Sequence, residues 1–410
     1  MPITDKSFVL VFNTGSSSVK FTLFRIEDET VLATGMVERI GLSGTQLFFS
    51  NHQGKELKRA VPVQNAREAV LLIIQQLTDP VQGKLPNAEA LAGIGHRVVH
   101  GGDQIHQSVI IDESIKKIIQ DCAALAPLHN PPNLEGIEAC QSIFPDLPQV
   151  AVFDTAFHAS LPEHAFLYGL PYHLYRDGKI RRYGFHGTSH AYVSQEAAKH
   201  LRKPLRELKL ITCHLGNGSS ITAVKYGQSI DTSMGFTPLE GTIMGTRCGS
   251  IDPAMVMHLL RHHRMTVDQI DHLLNHESGF QGLAGVGSSD VRDVIAAMDE
   301  GNQQAKAAIH LFVYQIRKYI GAYVAAMNGL DALVFTAGIG ENSARIRELI
   351  CNGGDGLRKL GIELDTHKND GALGINAEIQ STKSPVKLLI IPTNETLEIA
   401  RQTIALLLSL

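Results

Sequence analysis

Two stretches of the chain carry the same hydrophobic pattern. Phe8–Phe24 and Lys209–Tyr226 each run from an apolar segment through a Gly/Ser/Asn turn into an alternating segment. In the first, Val9–Phe12 reads as a buried strand. Val19, Phe21 and Leu23 then recur at period two, which puts Lys20 on the opposite face. Val31–Val37 continues the sheet. Apolar positions Ala66, Ala69, Val70, Ile73, Ile74 and Leu77 fall at helical spacing and predict a helix over Ala66–Leu77. Ala92–His100 reads as a strand entering Gly101-Gly102. Glu113–Ala126 reads as a helix stopped by Pro127, and Pro131-Pro132 as a further break. Gln149–Asp154 is a strand.

Past that point the pattern restarts. Residues 208–226 form the second hairpin, Pro253–Arg261 and Val267–Leu274 read as helices, and Gln303–Met327 as a long helix. Ala332–Thr336 is a strand entering Gly338-Ile339-Gly340, and Lys387–Ile391 a last strand. Thr393 or Asn394 is placed to cap a closing helix with Leu397, Ala400, Ile404 and Leu408 on one face. The repeat predicts an α/β fold of two related domains, residues 1–155 and 156–395, with a terminal helix, 396–410, packing back on the first. Glycine lets backbone N–H groups come close to an anion and serine adds donors, so two such turns suggest phosphate binding.

Composition narrows the class. The 410 residues include 44% hydrophobic positions, enough for real cores, and a net charge of −4 points away from nucleic acid and acidic membranes. Apolar runs such as Val70–Ile74 are too short to span a bilayer, and the N-terminus lacks the pattern of a signal peptide. Five cysteines with no Cys-x-x-Cys pair suggest a reducing, cytoplasmic setting.

Five segments carry candidate chemistry. Asn13–Lys20 is either a plain hairpin turn with a solvated lysine or a phosphate-side turn; with no P-loop in the chain, any nucleotide would rest on such turns. Arg97, inside a valine-rich strand, needs either a buried aspartate or an anionic ligand. Asp154 at a strand end suits Mg²⁺, directly or through water. His186 and His190 have zinc-ligand spacing, but no Glu lies between them and Gly187 is expected to interrupt a helix, so His186 reads better as a group touching a transferring phosphoryl. The glycine-dense segment Thr237–Gly249, carrying Arg247, reads as a mobile, ligand-facing loop. Two arginines around one phosphoryl match the charge spread of phosphoryl transfer.

Together, His214-Leu-Gly-Asn-Gly-Ser-Ser and Arg182-Tyr-Gly-Phe-His-Gly-Thr-Ser-His190, with the segments above, resemble the acetate kinase family of acyl-phosphate-forming kinases over Asn13–Glu395. The resemblance implies the two-domain actin, Hsp70 and sugar-kinase fold, with duplicated ribonuclease-H-like domains and the active site in the cleft. It implies reversible, direct in-line phosphoryl transfer from ATP to acetate, giving ADP and acetyl phosphate, with Mg²⁺ (Mn²⁺ as a substitute). It places Asn13 and Glu395 at the metal, Asp154 as a further candidate there, and Arg97 and Arg247 on the carboxylate and the phosphoryl. His186 becomes the transition-state stabiliser, with His129 nearby. Val99, Leu128, Phe185 and Pro238 become the acyl pocket, and Ser16, Ser18 and Lys20 the phosphate-side turn. Gly216, Asn217 and Gly218 become the second phosphate turn, and Asp290, Val291, Arg292, Gly338, Ile339, Gly340 and Asn342 the adenosine side. A homodimer is implied too. Ser250 stands where the family pattern has Asp, and Val291 where an aromatic is common. The alternatives are a propionate kinase, a non-catalytic ATP-dependent clamp of the same fold group, and a histidine-rich metalloenzyme.

Overall fold

A computed structural model describes residues 7–54, 56–81, 83–354 and 356–409. The chain divides into two compact units: Met1–Ala159 with Asn394–Leu410, and Ser160–Thr393. The strands of the first are β1 (Phe8–Gly15), β2 (Ser18–Arg25), β3 (Val31–Glu38), β4 (Gln46–Asn51), β5 (Glu56–Ala60), β6 (Leu91–Val98), β7 (Val109–Ile110) and β8 (Gln149–Phe153). They form one sheet in the order β5-β4-β3-β2-β1-β6-β8-β7. The second unit holds β9 (Lys209–Leu215), β10 (Ser219–Lys225), β11 (Gln228–Thr232), β12 (Ala332–Thr336), β13 (Ala377–Glu378) and β14 (Lys387–Ile390), in the order β11-β10-β9-β12-β14-β13. The repeat in sequence is thus a repeat in topology. In each unit an antiparallel hairpin, β1–β2 or β9–β10, is followed by two parallel strands, β6 and β8 or β12 and β14.

Alternation decides which face each strand buries. Leu10, Phe12, Val19, Phe21 and Leu23 pack under helices Ala66–Leu77 and Asn130–Ile143, while Val9, Val11 and Phe24 face the closing helix Glu395–Leu408. That helix sits close because Gly93 and Gly95 lack side chains; a Cβ at Gly93 would lie 2.7 Å from Leu407 Cδ1. Its cap is Asn394, whose side chain accepts from Leu397 N at 3.0 Å. Its buried face is Ile399, Ala400, Thr403 and Leu407, one step away from the expected stripe, and Leu408 is 66% exposed. The second unit buries its sheet against the long helix Gln303–Met327 through Ile309, Phe312, Ile316 and Ile320.

Three local expectations change. Pro131 and Pro132 start a helix instead of breaking the chain, because the first helical positions need no N–H donor. The helix Glu113–Asp121 gives way to a short 3₁₀ turn, Cys122–Ala124. Gly187 opens the helix Gly187–Leu201, since His186 before it takes the left-handed conformation (φ 57°) that turns the chain. The strands β4 and β5 have weak alternation and were not expected. No helix among the described residues is long and apolar enough to cross a membrane.

Burial leaves a pH signature in the first unit. His96 is 2% exposed, with Nε2 2.8 Å from Gln149 Oε1, and His100 is fully buried. Burial pulls both from 6.5 to about 4. The unfolded chain therefore binds these protons first as pH falls. Their contribution is complete above about pH 6.5 and is lost toward pH 4, by about 2 kcal/mol per histidine at pH 5. Urea unfolding should show a lower midpoint at pH 5 than at pH 7.5; a level midpoint across that range would contradict two buried neutral imidazoles.

Candidate functional site

In the first unit the acidic and basic candidates meet at the ends of β6 and β8. Arg97 donates from Nε to Asp154 Oδ1 at 3.1 Å and from NH2 to Oδ2 at 2.7 Å. Glu395 Oε2 stands 4.0 Å from Arg97 Nε. These carboxylates, Asp154 first, hold the Arg97 guanidinium well above its usual value. Both readings of Arg97 therefore meet: it has its buried aspartate, and its side chain keeps 23% exposure on which an anion could act. Asp154, only 2% exposed, spends both oxygens on Arg97 and orients it. Asn13 lies on β1, half-buried, and its amide meets no side-chain or backbone partner among the described residues. Glu395 opens the closing helix.

These residues suit a divalent cation. Asn13 and Glu395 offer hard oxygen donors without strong protein partners, which fits an ion that keeps most of its shell for water and phosphate. No group of three or more His, Cys, Asp or Glu side chains able to hold a metal occurs among the described residues.

Ser16 sits exposed at the β1–β2 turn, Ser18 begins β2, and Lys20 is exposed on it. Asn13 and Lys20 line a concavity of about 410 Å³ with Thr22, Thr34 and Phe48. Val99 is 7% exposed, Leu128 is 62% exposed, and His129 stands at the N-terminal boundary of the helix Asn130–Ile143 without a side-chain cap bond. Two residues not expected from sequence hold this corner. Asn133 accepts from Val99 N and donates to Thr14 O at 2.7 Å; Asn130 accepts from His100 N and donates to His100 O at 2.9 Å. Their only sequence signal is two asparagines flanking a proline pair.

In the second unit a cavity of about 500 Å³ is lined by Gly216, Asn217, Asp290, Val291, Arg292, Gly338, Ile339 and Asn342. Eight residues expected on the nucleotide side thus line the same cavity, and the volume is ordinary for a small-molecule site. Gly340 faces elsewhere: a Cβ there would lie 3.4 Å from Phe335 C, on β12. Gly245, Phe280, Ser289 and Ser343 also line the cavity and were missed; Phe280 reads as an ordinary core aromatic. Asp290 caps the helix Val291–Asp299 and pairs with Arg292, which holds its carboxyl down at about 2. Val291 is buried in the first turn of that helix.

His186 and Arg247 converge over the β9–β10 turn. A Cβ at Gly218 would lie 3.3 Å from His186 Cε1 and Nε2 and 3.8 Å from Arg247 NH1. Phe185 is buried beside His186, and Pro238 is half-buried. Arg247 NH1 donates only weakly, to Pro238 O at 3.4 Å and to Met244 Sδ at 3.7 Å. It has no carboxylate partner among the described residues, and burial lowers its affinity for its proton.

The loop carrying Arg247 is packed and hydrogen-bonded to its neighbours along its length. Residues 241–245 are buried. Arg182 pairs with Glu240 at 2.8 Å and also donates to the carbonyls of Thr232 and Met234; Tyr168 Oη donates to Glu240 Oε2 at 2.5 Å. Ser250 closes the loop, accepting from Gly241 N at 3.1 Å and donating from its own N to Gly241 O at 2.9 Å.

The family profile described as the acetokinase family matches residues 8–401. An acetate kinase of Alkaliphilus metalliredigens is 49% identical over 399 residues, covering 97% of this chain and 100% of that one. The crystal structure of Porphyromonas gingivalis acetate kinase superposes with a TM-score of 0.93 at 41% identity, covering 98% of this chain and all of that one. A propionate kinase from Francisella tularensis gives a TM-score of 0.89 at 42% identity, covering 97% and 98% of the two chains.

One fully buried arginine supports the cavity from behind. Arg347 donates to Gly340 O and Glu341 O at 2.9 Å, to Asn369 Oδ1 at 2.8 Å and to Ala372 O at 2.8 Å, and burial pulls it down to about 10. It thereby holds the helix Ala337–Asn342, which forms one cavity wall. Arg347→Met would strand these acceptors at about 1–3 kcal/mol each. The expected result is a protein several kcal/mol less stable in denaturant, with weakened nucleotide binding by calorimetry; unchanged values for both would refute the supporting role.

Proposed function

The chain belongs to the acetokinase family, and from that premise we propose that it transfers the γ-phosphoryl of ATP to acetate, reversibly, through the residues below. The activity follows from family membership. The observation that carries the residue assignment is Arg247: a guanidinium drawn out of water, beside His186, with no carboxylate to meet it among the described residues. Such a group is built for a ligand's anion.

A carboxylate oxygen attacks the γ-phosphorus, and the bond to the β–γ bridging oxygen breaks as ADP leaves. Acetate is already ionised at neutral pH, so no general base is required. The protein's work is positioning and charge neutralisation. Arg247 and His186 serve the phosphoryl oxygens, and Arg97, aligned by Asp154, serves the carboxylate, with His129 in a supporting place. Val99, Leu128, Phe185 and Pro238 take the acyl group. Gly216, Asn217 and Gly218 cradle phosphates, Ser16, Ser18 and Lys20 stand on the phosphate side, and the residues lining the 500 Å³ cavity take the nucleoside. Asn13 and Glu395 would hold Mg²⁺, which when bound offsets phosphate charge and polarises the transferring group. The same reading carries a homodimer and a cytoplasmic location, supported by family membership.

Two measurements test this. Arg247→Ala should keep its fold by circular dichroism and lower kcat by about 10²–10³-fold, the scale of removing one preorganised donor. Near-normal turnover would refute the assignment. Across substrates, kcat/KM should be higher for acetate than for propionate, a preference supported by the acetate kinase relatives, and the margin should be modest because one methylene in an apolar pocket discriminates by only about 1–3 kcal/mol. A hydroxamate assay with a higher kcat/KM for propionate would favour the second reading, for which the propionate kinase neighbour is the support.

A further inference from the structure

The geometry points to a hydroxyl–imidazole relay, Thr212–His190–Ser220, that fixes the neutral tautomer of His186 so that its Nε2 carries the proton. The inference rests on His186 serving the phosphoryl group, as proposed above. Ser220 Oγ lies between two rings, 2.9 Å from His186 Nδ1 and 2.7 Å from His190 Nε2. His190 Nδ1 lies 2.7 Å from Thr212 Oγ1. Ser220, Thr212 and His190 are fully buried.

Three contacts need three protons, and each hydroxyl has one. Suppose the chain runs outward from Thr212. Its O–H donates to His190 Nδ1, His190 Nε2–H donates to Ser220 Oγ, and Ser220 O–H donates to His186 Nδ1. Every proton then has an acceptor. Reversed, His186 Nδ1–H donates to Ser220, Ser220 to His190 Nε2, and His190 Nδ1–H to Thr212. The Thr212 hydroxyl proton is then buried with no acceptor among the described residues. If both rings donate to Ser220, the serine proton is the one stranded. Buried donors are rarely left unmade, because desolvation is not repaid. Only the outward direction satisfies all three groups.

That direction has a chemical consequence. With Nδ1 accepting, a neutral His186 holds its proton on Nε2. This atom and Arg247 NH1 both face the space over Gly218, 3.3 and 3.8 Å from where a Cβ there would lie. The ring can therefore donate to a phosphoryl oxygen without becoming an imidazolium next to a guanidinium. His214 stacks on His186 with ring centroids 4.1 Å apart, and its Nδ1 lies 2.8 Å from Ser189 Oγ, so the neighbouring ring has its own hydroxyl partner. Ser220, His190 and Thr212 act through His186 and are positioning residues.

The test is ¹⁵N NMR of histidine-labelled full-length protein at neutral pH, with resonances assigned through His186→Gln, joined to steady-state kinetics. The expected spectrum shows His186 neutral and protonated at Nε2. Ser220→Ala should move His186 toward a mixture of tautomers and lower kcat by roughly tenfold or more, short of the ~10⁴-fold loss seen where an imidazole is held in the wrong tautomer. Ser220→Thr, which keeps the hydroxyl, should restore both. A wild-type His186 protonated at Nδ1, or doubly protonated, overturns the relay, as does Ser220→Ala with an unchanged tautomer and rate. A fully active His186→Gln would instead overturn the role of His186 itself, whatever tautomer the spectrum shows.

Discussion

A guanidinium removed from water must find a partner, and the way each buried arginine finds one organises this protein. Arg97 takes Asp154, and Arg182 takes Glu240 and backbone carbonyls. Arg347 takes carbonyls and an amide, and Arg181 lies 3.7 Å over the ring of Phe166. Arg247 has a long contact to one carbonyl and one to a thioether. On the proposed assignment, the free energy that the other four recover on folding is, for Arg247, left to a ligand's anion. That is the sense in which electrostatic preorganisation costs stability in the empty protein and returns it when an anion arrives.

Leaving a cation unpaired is useful only if it cannot swing to another partner. The surrounding loop is therefore tied at both ends. Glu240 is gripped by Arg182 and Tyr168, and Gly241 and Ser250 exchange two hydrogen bonds. The middle is tied to its neighbours as well, with Phe280 N donating to Met244 O and Gly245 N to Asn217 O. The last bond also joins the arginine's loop to the β9–β10 turn. A serine at position 250 thus has a structural use, closing the loop by hydrogen bonds without adding a charge.

The periodic parts of this fold were legible in the sequence. The long helix Gln303–Met327 and the strand Ala332–Thr336 follow directly from spacing, and the two hairpins from alternation. What was hidden has a common cause: it depends on groups far apart in the chain. The glycines of 235–249 read as flexibility, yet several are small because something touches them. A Cβ at Gly245 would overlap Asn217 Oδ1, and one at Gly235 would overlap Glu240 and Tyr168. Glycine density alone does not distinguish a free backbone from a crowded one. Likewise a proline pair reads as a break until its place at a helix start is known, and Gly187 as an interruption until His186 is seen to make the turn. Asp154, the partner of Arg97, lies 57 residues away, and Asn369, which accepts from Arg347, lies 22 away, both beyond any local pattern.

The duplicated hairpins differ at their turns by a single residue, and the difference changes their shape. In the first, Gly15 pairs with Ser18, and two residues make the turn. In the second, Leu215 pairs with Ser219, and three residues make it. The added residue lets Gly216 N reach Gly218 O at 3.0 Å, so the chain curls back on itself at the end of the ladder. The wider turn puts Gly216 and Asn217 on the cavity wall and leaves Gly218 bare beneath His186 and Arg247. Any side chain at Gly218 would occupy the space in front of both. The tight turn of the first copy has no such platform, and Ser16 at its tip is simply exposed. One inserted residue in an otherwise common pattern therefore separates a tight turn with an exposed tip from a wider one that lines a cavity.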